Sequence, residues 1–365
     1  MDQVLASLRA AGEPTRLRIL ALCARGELTV SELTRILGQS QPRVSRHLKV
    51  LTDAGLLDRH KEGSFTFYAL ARGRTEATLA RRVVDLCSGS DGVAALDRAR
   101  LEAVRRERAA ALDAYFEANA QRWDEIRAYQ LDGHDGHVGA SDIDSDVDQA
   151  VEALVTPGLA RDLLDVGTGT GRLLARLAPR VGRATGLDLN REMLAVARER
   201  LAAADIGNCM LRQGDALALP FADGSVDLVT IHLVLHYLET PEAALAEAAR
   251  VLAPGGRIVV VDFLRHEAEE LRERHAHRRL GFDEQEVAGW LVGLGLETTA
   301  CQRFPGGPNG LALWVADASA DASAEAGTAE TGTGEAGGGL RFPPASSISP
   351  VRAQRAAPQV RTRFP

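Results

Sequence analysis

Two periodicities divide the chain. Over the first 80 or so residues, apolar positions recur in short blocks at the three-to-four spacing of amphipathic helices. "PTRLRILALCARG" sets Leu17, Leu20 and Ala21 at helical spacing and stops at Gly26. "TVSELTRILG" opens on a capping box, Thr29 with Glu32, then presents Leu33, Ile36 and Leu37 before a Gly38 stop. "SQPRVSRHLKVLTDAG" takes Ser40 as N-cap and Pro42 in its first turn, faces Val44, Leu48 and Leu51 inward, and ends at Gly55. Two β-prone runs around residues 61–64 predict a hairpin. From about 150 to 316 apolar β-rich runs alternate with amphipathic helices, which predicts an α/β fold with a mostly parallel sheet. Strands are expected near 162–167, 183–188, 209–213, 225–231, 256–262, 296–302 and 310–316.

Between these regions, residues 97–130 read as one long charged helix: a spacer, a dimer contact or a lid. The stretch "DGHDGHVGASDIDSDVD" after it reads as a loop. The divisions are therefore 1–85 for a DNA-binding unit (argued next), 86–149 for a helical linker or lid, 150–316 for the α/β domain and 317–365 for a tail. That tail, rich in Ala, Gly, Ser and Thr and then in Pro and Arg, cannot bury a core and is expected to be disordered. No run approaches 18 apolar residues, the start lacks a basic segment followed by an apolar one, and the four cysteines show no pairing spacing. A cytoplasmic protein with reduced thiols is expected.

Charge sharpens the picture at one end. Residues 1–87 hold 14 Lys and Arg against 9 Asp and Glu, a balance of +5, which leaves −12 for the rest of a chain whose net charge is −7. From Leu33 to Thr52 there is no acidic residue, so the first segment alone is suited to a polyanion. With Val44, Leu48 and Leu51 facing inward, Gln41, Arg43, Ser45, Arg46, His47 and Lys49 are left to face outward, beside Ser40. Arg and Gln reach base edges in the major groove, whereas Ser, His and Lys mostly meet phosphate. Arg59, His60 and Lys61 of the hairpin suit flanking backbone. The bland alternative is a charged, solvated helix on an ordinary three-helix unit.

These stretches, above all residues 12–22 and "SQPRVSRHLKVLTDAGLL", resemble the winged helix-turn-helix repressors of the ArsR family over about residues 1–80. The resemblance implies a homodimer on an inverted-repeat DNA operator, released or retained by a ligand. Many members sense metals through a Cys-x-Cys pair; the matching positions here are Thr29 and Ser31, and Cys23 has no second thiol near it in sequence. A soft metal wants two or three thiolates, so no metal is expected and the effector must bind elsewhere.

The α/β region opens on "DVGTGTGRLL". Gly167, Gly169 and Gly171 let the backbone curl closely around a ligand. A dinucleotide turn would need a glycine at 172, where Arg172 stands, and Asp165 would repel a pyrophosphate. A ligand bearing a positive charge or an amino group fits better. Asp188 ends the second strand, 23 residues after Asp165, where a carboxylate accepts both ribose hydroxyls. Asp215 follows the third strand, and "EAARVLAPGGRIVVVDF" supplies a helix, a turn and a fifth strand. This order resembles the class I S-adenosylmethionine-dependent methyltransferases, particularly the UbiE-like branch, over about 150–316. The resemblance implies S-adenosylmethionine or S-adenosylhomocysteine as ligand. It sets Asp165 and Gly167 near the methionine moiety, Gly169 and Gly171 on the turn, Asp188 on the ribose with Met193 beside it, and Asp215 with Ala216 on the adenine.

If a methyl group is transferred to a small organic acceptor, His236 in "HLVLHYL" is the candidate general base, with His232 one turn earlier. Either is equally readable as a packed or solvent-facing histidine. "DIDSDVD" lacks the glycine and glutamate of a calcium loop, and His266, His275 and His277, on an expected charged helix, lack zinc spacing. Three functions follow in order: a transcriptional regulator with a methyl-donor effector, an active methyltransferase that regulates its own gene, and a chromosome-associated protein whose pocket is only structural.

Overall fold

A computed structural model describes residues 2–62, 65–71, 75–86, 92–132, 141–156, 160–304 and 309–319. The first helices are α1 (Asp2–Ala11), α2 (Pro14–Cys23), α3 (Val30–Leu37) and α4 (Gln41–Asp53), with the short strand β1 (Leu28–Thr29) ahead of α3. The capping box is present: Thr29 accepts from the Glu32 N–H, and the Glu32 carboxylate accepts from the Thr29 N–H. Gly38 closes α3 in the left-handed region at φ +66°. Ser40 occupies the N-cap of α4 but its side chain makes no capping bond. β2 (Leu57–Glu62) and β3 (Phe65–Leu70) form the expected antiparallel wing, with β1 on the far side of β3. Ile19, Leu33, Ile36, Val44, Leu48 and Leu51 are fully buried together.

Two helices of this region went unread or misread in the sequence. α5 (Thr75–Leu86) follows the wing and packs on α1 and α2. α6 (Gly92–Asn119) starts earlier than expected and ends sooner, in a 3-10 turn at Ala120–Arg122 before α7 (Trp123–Asp132). The supposed loop contains α8 (Ser141–Leu154). Its aspartates hid an apolar stripe, Ile143, Val147, Ala150, Val151 and Leu154, all buried. Asp144 and Asp148, one turn apart, both pair with arginines, Asp148 fully buried and Asp144 half-buried.

The α/β region runs β4 (Asp162–Val166), α9 (Arg172–Leu177), β5 (Arg183–Asp188), α10 (Arg191–Ala203), β6 (Cys209–Gln213), β7 (Val226–His232), α11 (Pro241–Val251), β8 (Leu252–Phe263), α12 (Glu269–His275), α13 (Glu284–Gly293), β9 (Glu297–Phe304) and β10 (Leu311–Asp317). Its seven strands take the order β6-β5-β4-β7-β8-β10-β9, and only β10 runs against its neighbours. Two apolar layers cover the sheet, one under α8 and α9, the other under α11 and α13. The chain steps outward from β4 through β5 to β6 and then returns to β7 on the other side of β4. The crevice at the carboxyl ends of β4 and β7 is therefore the topological switch point, where such sheets bind ligands. Most of the expected tail lies outside the described residues. No helix among the described residues is long and apolar enough to cross a membrane.

Candidate functional site: a cofactor cavity joined to a DNA-reading unit

At the switch point lies a cavity of about 1210 Å³, its open mouth included, large enough for a small-molecule ligand. Asp165, Gly167, Gly169, Asp188, Met193, Asp215 and Ala216 all line it. Gly171 does not: it N-caps α9, and a Cβ there would stand 3.0 Å from the Ala197 Cβ. All three glycines have positive φ, +71°, +52° and +72°. A Cβ on Gly167 would fall 2.3 Å from the Val234 Cγ2, whereas one on Gly169 would meet nothing closer than the Trp123 Nε1 at 3.9 Å. The first glycine is therefore demanded by protein packing as well as by its backbone, whereas at the second only the left-handed φ calls for glycine and the space beside it opens on the cavity.

Asp188 is held from both sides. One carboxylate oxygen accepts from the Gly169 N–H at 2.8 Å, the other from the Asn190 N–H at 2.9 Å. Burial pushes its carboxyl above the usual range, against those two N–H donors. Asp165 is buried, accepts from the Thr230 hydroxyl at 2.6 Å, and is raised by burial to about 6. Asp215 is exposed at the far end and accepts from the Leu217 N–H at 2.9 Å. The cavity thus runs from an exposed carboxylate, past one anchored on two backbone donors, to one that is buried. Asp188 retains lone pairs for a ligand's hydroxyls, and the positive-φ turn leaves room beside it. The residues fit S-adenosylmethionine.

Residues outside the expected set complete the wall. Ala109, Leu112, Asp113 and Phe116 come from α6, and Trp123, Arg127 and Gln130 from α7. The rings of Phe116, Trp123 and Tyr237 pack on one another, with Phe116 at 5.2 Å from Trp123 and 5.0 Å from Tyr237. A signal was available in the sequence: Trp123, Arg127 and Gln130 share one helical face.

The two histidines separate. His232 lines the cavity, while His236 lies outside its wall, 1% exposed. The His236 Nδ1 meets the buried Asp262 carboxylate at 2.7 Å, and its ring packs 4.1 Å from that of His277. His236 is thus the packed histidine of the two readings. His266 and His277 do not belong to a charged helix, since α12 covers only Glu269–His275; His277 is buried, and burial holds it well below the ordinary histidine range. Among the described residues no group of His, Cys, Asp and Glu is arranged for a metal.

On the N-terminal unit, Ser40, Gln41, Arg43, Ser45, Arg46, Lys49, Arg59 and Lys61 are exposed. His47 is turned aside, with its Nδ1 3.6 Å from the Glu13 carboxylate, and Lys49 pairs with Asp53 one turn on, at 2.8 Å. His60 is also diverted. Strand alternation sets it opposite Phe67, where the two rings stack at 5.3 Å, on the other face of the wing from Arg59 and Lys61. That face meets the α/β region. Arg272 lies over Phe65 and Phe67, Arg278 lies over Phe67, and Arg279 pairs with Glu27 at 2.9 Å.

α6 ties the two ends together. Leu101 and Val104 are buried in the helix-turn-helix core, and Asp97 takes a bidentate bond from Arg18. Arg108 bridges Glu32 of α3 and Glu239 of the loop after β7. Further along the same helix, Asp113 accepts at 2.7 Å from the Asn190 amide, next to Asp188.

The description "Bacterial regulatory protein, arsR family" matches residues 13–59, and "Methyltransferase domain" matches residues 164–260. The chain is 42% identical over 118 residues to the ubiquinone/menaquinone biosynthesis C-methyltransferase UbiE of Roseobacter denitrificans, covering 32% of this chain and 47% of that one. It is 31% identical over 175 residues to the UbiE of a Marinomonas species, covering 40% of this chain and 70% of that one. A solved S-adenosylmethionine-dependent methyltransferase from Aquifex aeolicus aligns at 22% identity with a TM-score of 0.40, covering 50% of this chain and 99% of that one. The chain spans about half the length of most of the curated relatives it matches. With the cofactor turn, the sheet order and the capped helix pair in place, the chain belongs to the UbiE-like class I methyltransferases, an S-adenosylmethionine-binding family, and carries an ArsR-family helix-turn-helix ahead of that domain.

Proposed function

We propose that this protein is a DNA-binding transcriptional regulator whose methyltransferase-fold domain takes S-adenosylmethionine or S-adenosylhomocysteine as effector. The observation that carries the reading is α6: the same helix enters the core of the DNA-reading unit and walls the cofactor cavity. A ligand that shifts the wall near Asp113 acts on the segment that holds α2 and α3. Regulation requires a ligand affinity that differs between DNA-competent and incompetent forms. In a gel-shift titration with operator DNA, either ligand is expected to change the apparent affinity at least fivefold. Equal affinity with and without both ligands overturns the reading.

In this assignment Asp188 accepts the ribose hydroxyls beside Met193, Asp215 and Ala216 face the adenine, and Asp165 takes the ligand's amino group. The last role makes binding depend on pH. An ammonium prefers the ionised carboxylate, and Asp165 loses its charge as pH falls through about 6. Affinity for S-adenosylhomocysteine is expected to hold from pH 8 to 7 and to fall toward tenfold by pH 5 in calorimetry. Asp165→Asn should bind weakly and with little change over the same range.

The protein acts as a homodimer on an inverted repeat. Val4, Leu5 and Leu8 form an apolar stripe on α1 that is more than 40% exposed, a surface a second copy would cover. Leu5→Glu with Leu8→Glu is expected to give a monomer by light scattering that binds operator at least tenfold more weakly.

The ring wall of Phe116, Trp123 and Tyr237 supports a second reading, an active methyltransferase on a small organic acceptor. Incubation with methyl-labelled cofactor and cell metabolites tests it. Absence of any labelled acceptor removes it and leaves the regulator.

A further inference from the structure

The short segment after β7, residues 233–239, has one side in the cavity wall and the other against the DNA-reading unit. Leu233, Val234, Tyr237 and Leu238 line the cavity. Leu233 holds φ at +57°, where side chains are rarely found, and its N–H donates to the Val261 carbonyl at 2.8 Å. Val234 packs on the glycine turn so closely that a Cβ on Gly167 would overlap it. The middle of the segment is pinned by the buried Asp262, which accepts from the Leu235 N–H at 2.9 Å and meets the His236 ring at 2.7 Å. Backbone strain of this kind persists where surrounding contacts over-determine it, so the segment responds as a unit and not residue by residue.

Its outer side is strapped to the DNA-reading unit twice. The Glu239 carboxylate pairs with Arg105 at 3.1 Å and with Arg108 at 3.2 Å, and Arg108 reaches on to Glu32. One Glu32 oxygen meets Arg108 while the other accepts from the Thr29 N–H, so the strap ends on the capping box of α3. The second strap bypasses α6. The His236 carbonyl accepts from the Arg278 and Arg279 N–H groups, both at 3.0 Å. The Arg278 guanidinium donates to the Glu27 carbonyl at 3.1 Å, and Arg279 pairs with the Glu27 carboxylate at 2.9 Å. Glu27 directly precedes β1, and its carboxylate also stands 3.7 Å from the His60 Nε2 of the wing. The paired side chains of Arg108, Glu32, Glu239, Arg279 and Glu27 are at most 24% exposed, so salt screens them less than surface pairs.

We infer that residues 233–239 are the transmitter by which a ligand in the cavity sets the start of α3, acting through the Glu239 and Glu27 straps. The inference deepens the regulator reading and rests on it for the identity of the ligand. A filled cavity fixes Val234 and Tyr237, and the straps carry that order to the capping box. Because α3 packs on α4, a change at Thr29 and Glu32 re-aims the helix that faces DNA.

Hydrogen exchange on the full chain, with and without S-adenosylhomocysteine, tests this at the amides of residues 27–34. In the unaltered protein the ligand is expected to slow exchange there by about threefold or more. Glu27→Gln with Glu239→Gln removes the carboxylate charge from both straps, and neither residue lines the cavity. Arg105 keeps Glu102 and the Arg25 carbonyl, Arg108 keeps Glu32, and Arg279 keeps Glu286, so no guanidinium is left bare. The double variant should bind the ligand within about twofold of the unaltered protein, while the slowing falls below about 1.5-fold. If the double variant fails to fold, Glu239→Gln alone carries the comparison and should lose at least about half of the slowing. Absence of slowing in the unaltered protein, or slowing that the variant keeps, overturns the inference and leaves α6 alone as the route of regulation. The gel-shift titration decides the regulator reading separately: slowing that depends on the straps, with equal operator affinity in the presence and absence of ligand, upholds the straps and overturns the regulator. Failure of the unaltered protein to bind S-adenosylhomocysteine overturns both.

Discussion

Replacing Arg43 and Arg46 together by alanine is expected to abolish sequence-specific operator binding while leaving the cofactor cavity intact. Both lie on the outward face of α4, exposed, with the apolar positions Val44, Leu48 and Leu51 buried beneath them. An arginine that reaches a guanine edge is worth about 1–3 kcal/mol of discrimination. The pair therefore costs about 2–6 kcal/mol, at least about 30-fold in affinity for the operator over random DNA. Arg59 and Lys61 on the wing belong to the backbone-contacting class. Their alanine variants should weaken operator and random DNA alike and reduce the salt dependence by about one phosphate contact each. Competition titrations at two salt concentrations separate the two classes. An Arg43→Ala, Arg46→Ala protein that still prefers operator to random DNA would remove α4 as the reading element. His47 and His60 should matter less than the arginines, because one faces Glu13 and the other stacks on Phe67.

The second large effect is expected at Gly167. An alanine methyl there would stand 2.3 Å from Val234, in a backbone at φ +71° that side chains rarely adopt. The turn cannot drift away easily, since the Gly167 and Thr168 N–H groups both donate to the Leu187 carbonyl, at 2.7 and 3.0 Å. Left-handed strain of about 1–2 kcal/mol adds to an overpacking cost of about 1–3 kcal/mol. Gly167→Ala should therefore lower the melting temperature and reduce S-adenosylhomocysteine binding by more than about 30-fold, because with the turn held the clash is relieved only by breaking those bonds or by displacing Val234, itself part of the cavity wall. Gly169→Ala gives the contrasting result. Its methyl meets nothing closer than the Trp123 Nε1 at 3.9 Å, so left-handed strain at φ +52° is the main cost and the fold should survive better while the ligand is displaced. Wild-type binding by Gly167→Ala, measured by calorimetry, would show that the turn does not contact the cofactor.

Most elements were legible because their apolar spacing was regular. All the strands expected in the α/β region are present, with bounds shifted by a few residues and β8 starting earlier, at Leu252. α8 was not legible. Its aspartates look like solvated loop residues in one dimension, and only the arginines folded against them, Arg172 above all, turn Asp144 and the buried Asp148 into a clasp. Arg172 itself was read only as the residue that breaks a dinucleotide pattern. The break in the long charged helix was hidden for a related reason. Nothing local marks Ala120–Arg122 as a turn, and the rings that flank it, Phe116 and Trp123, pack against Tyr237, more than a hundred residues away.

By itself the sequence determined the local grammar: the capping box at Thr29 and Glu32, the left-handed stops, the three glycines, and the carboxylates at the ends of β4 and β5. These follow from short-range rules of backbone freedom, hydrogen-bond satisfaction and strand ends, which need no knowledge of the remaining chain. Only the tertiary structure decided which histidine meets the cavity. His232 and His236 lie four residues apart, and the sheet carries one into the crevice while Asp262 and His277 enclose the other. It also decided that the linker is no mere spacer. Which surfaces α6 and α7 touch depends on where the sheet places Asn190 and His232, and that is a long-range packing outcome that periodicity does not encode.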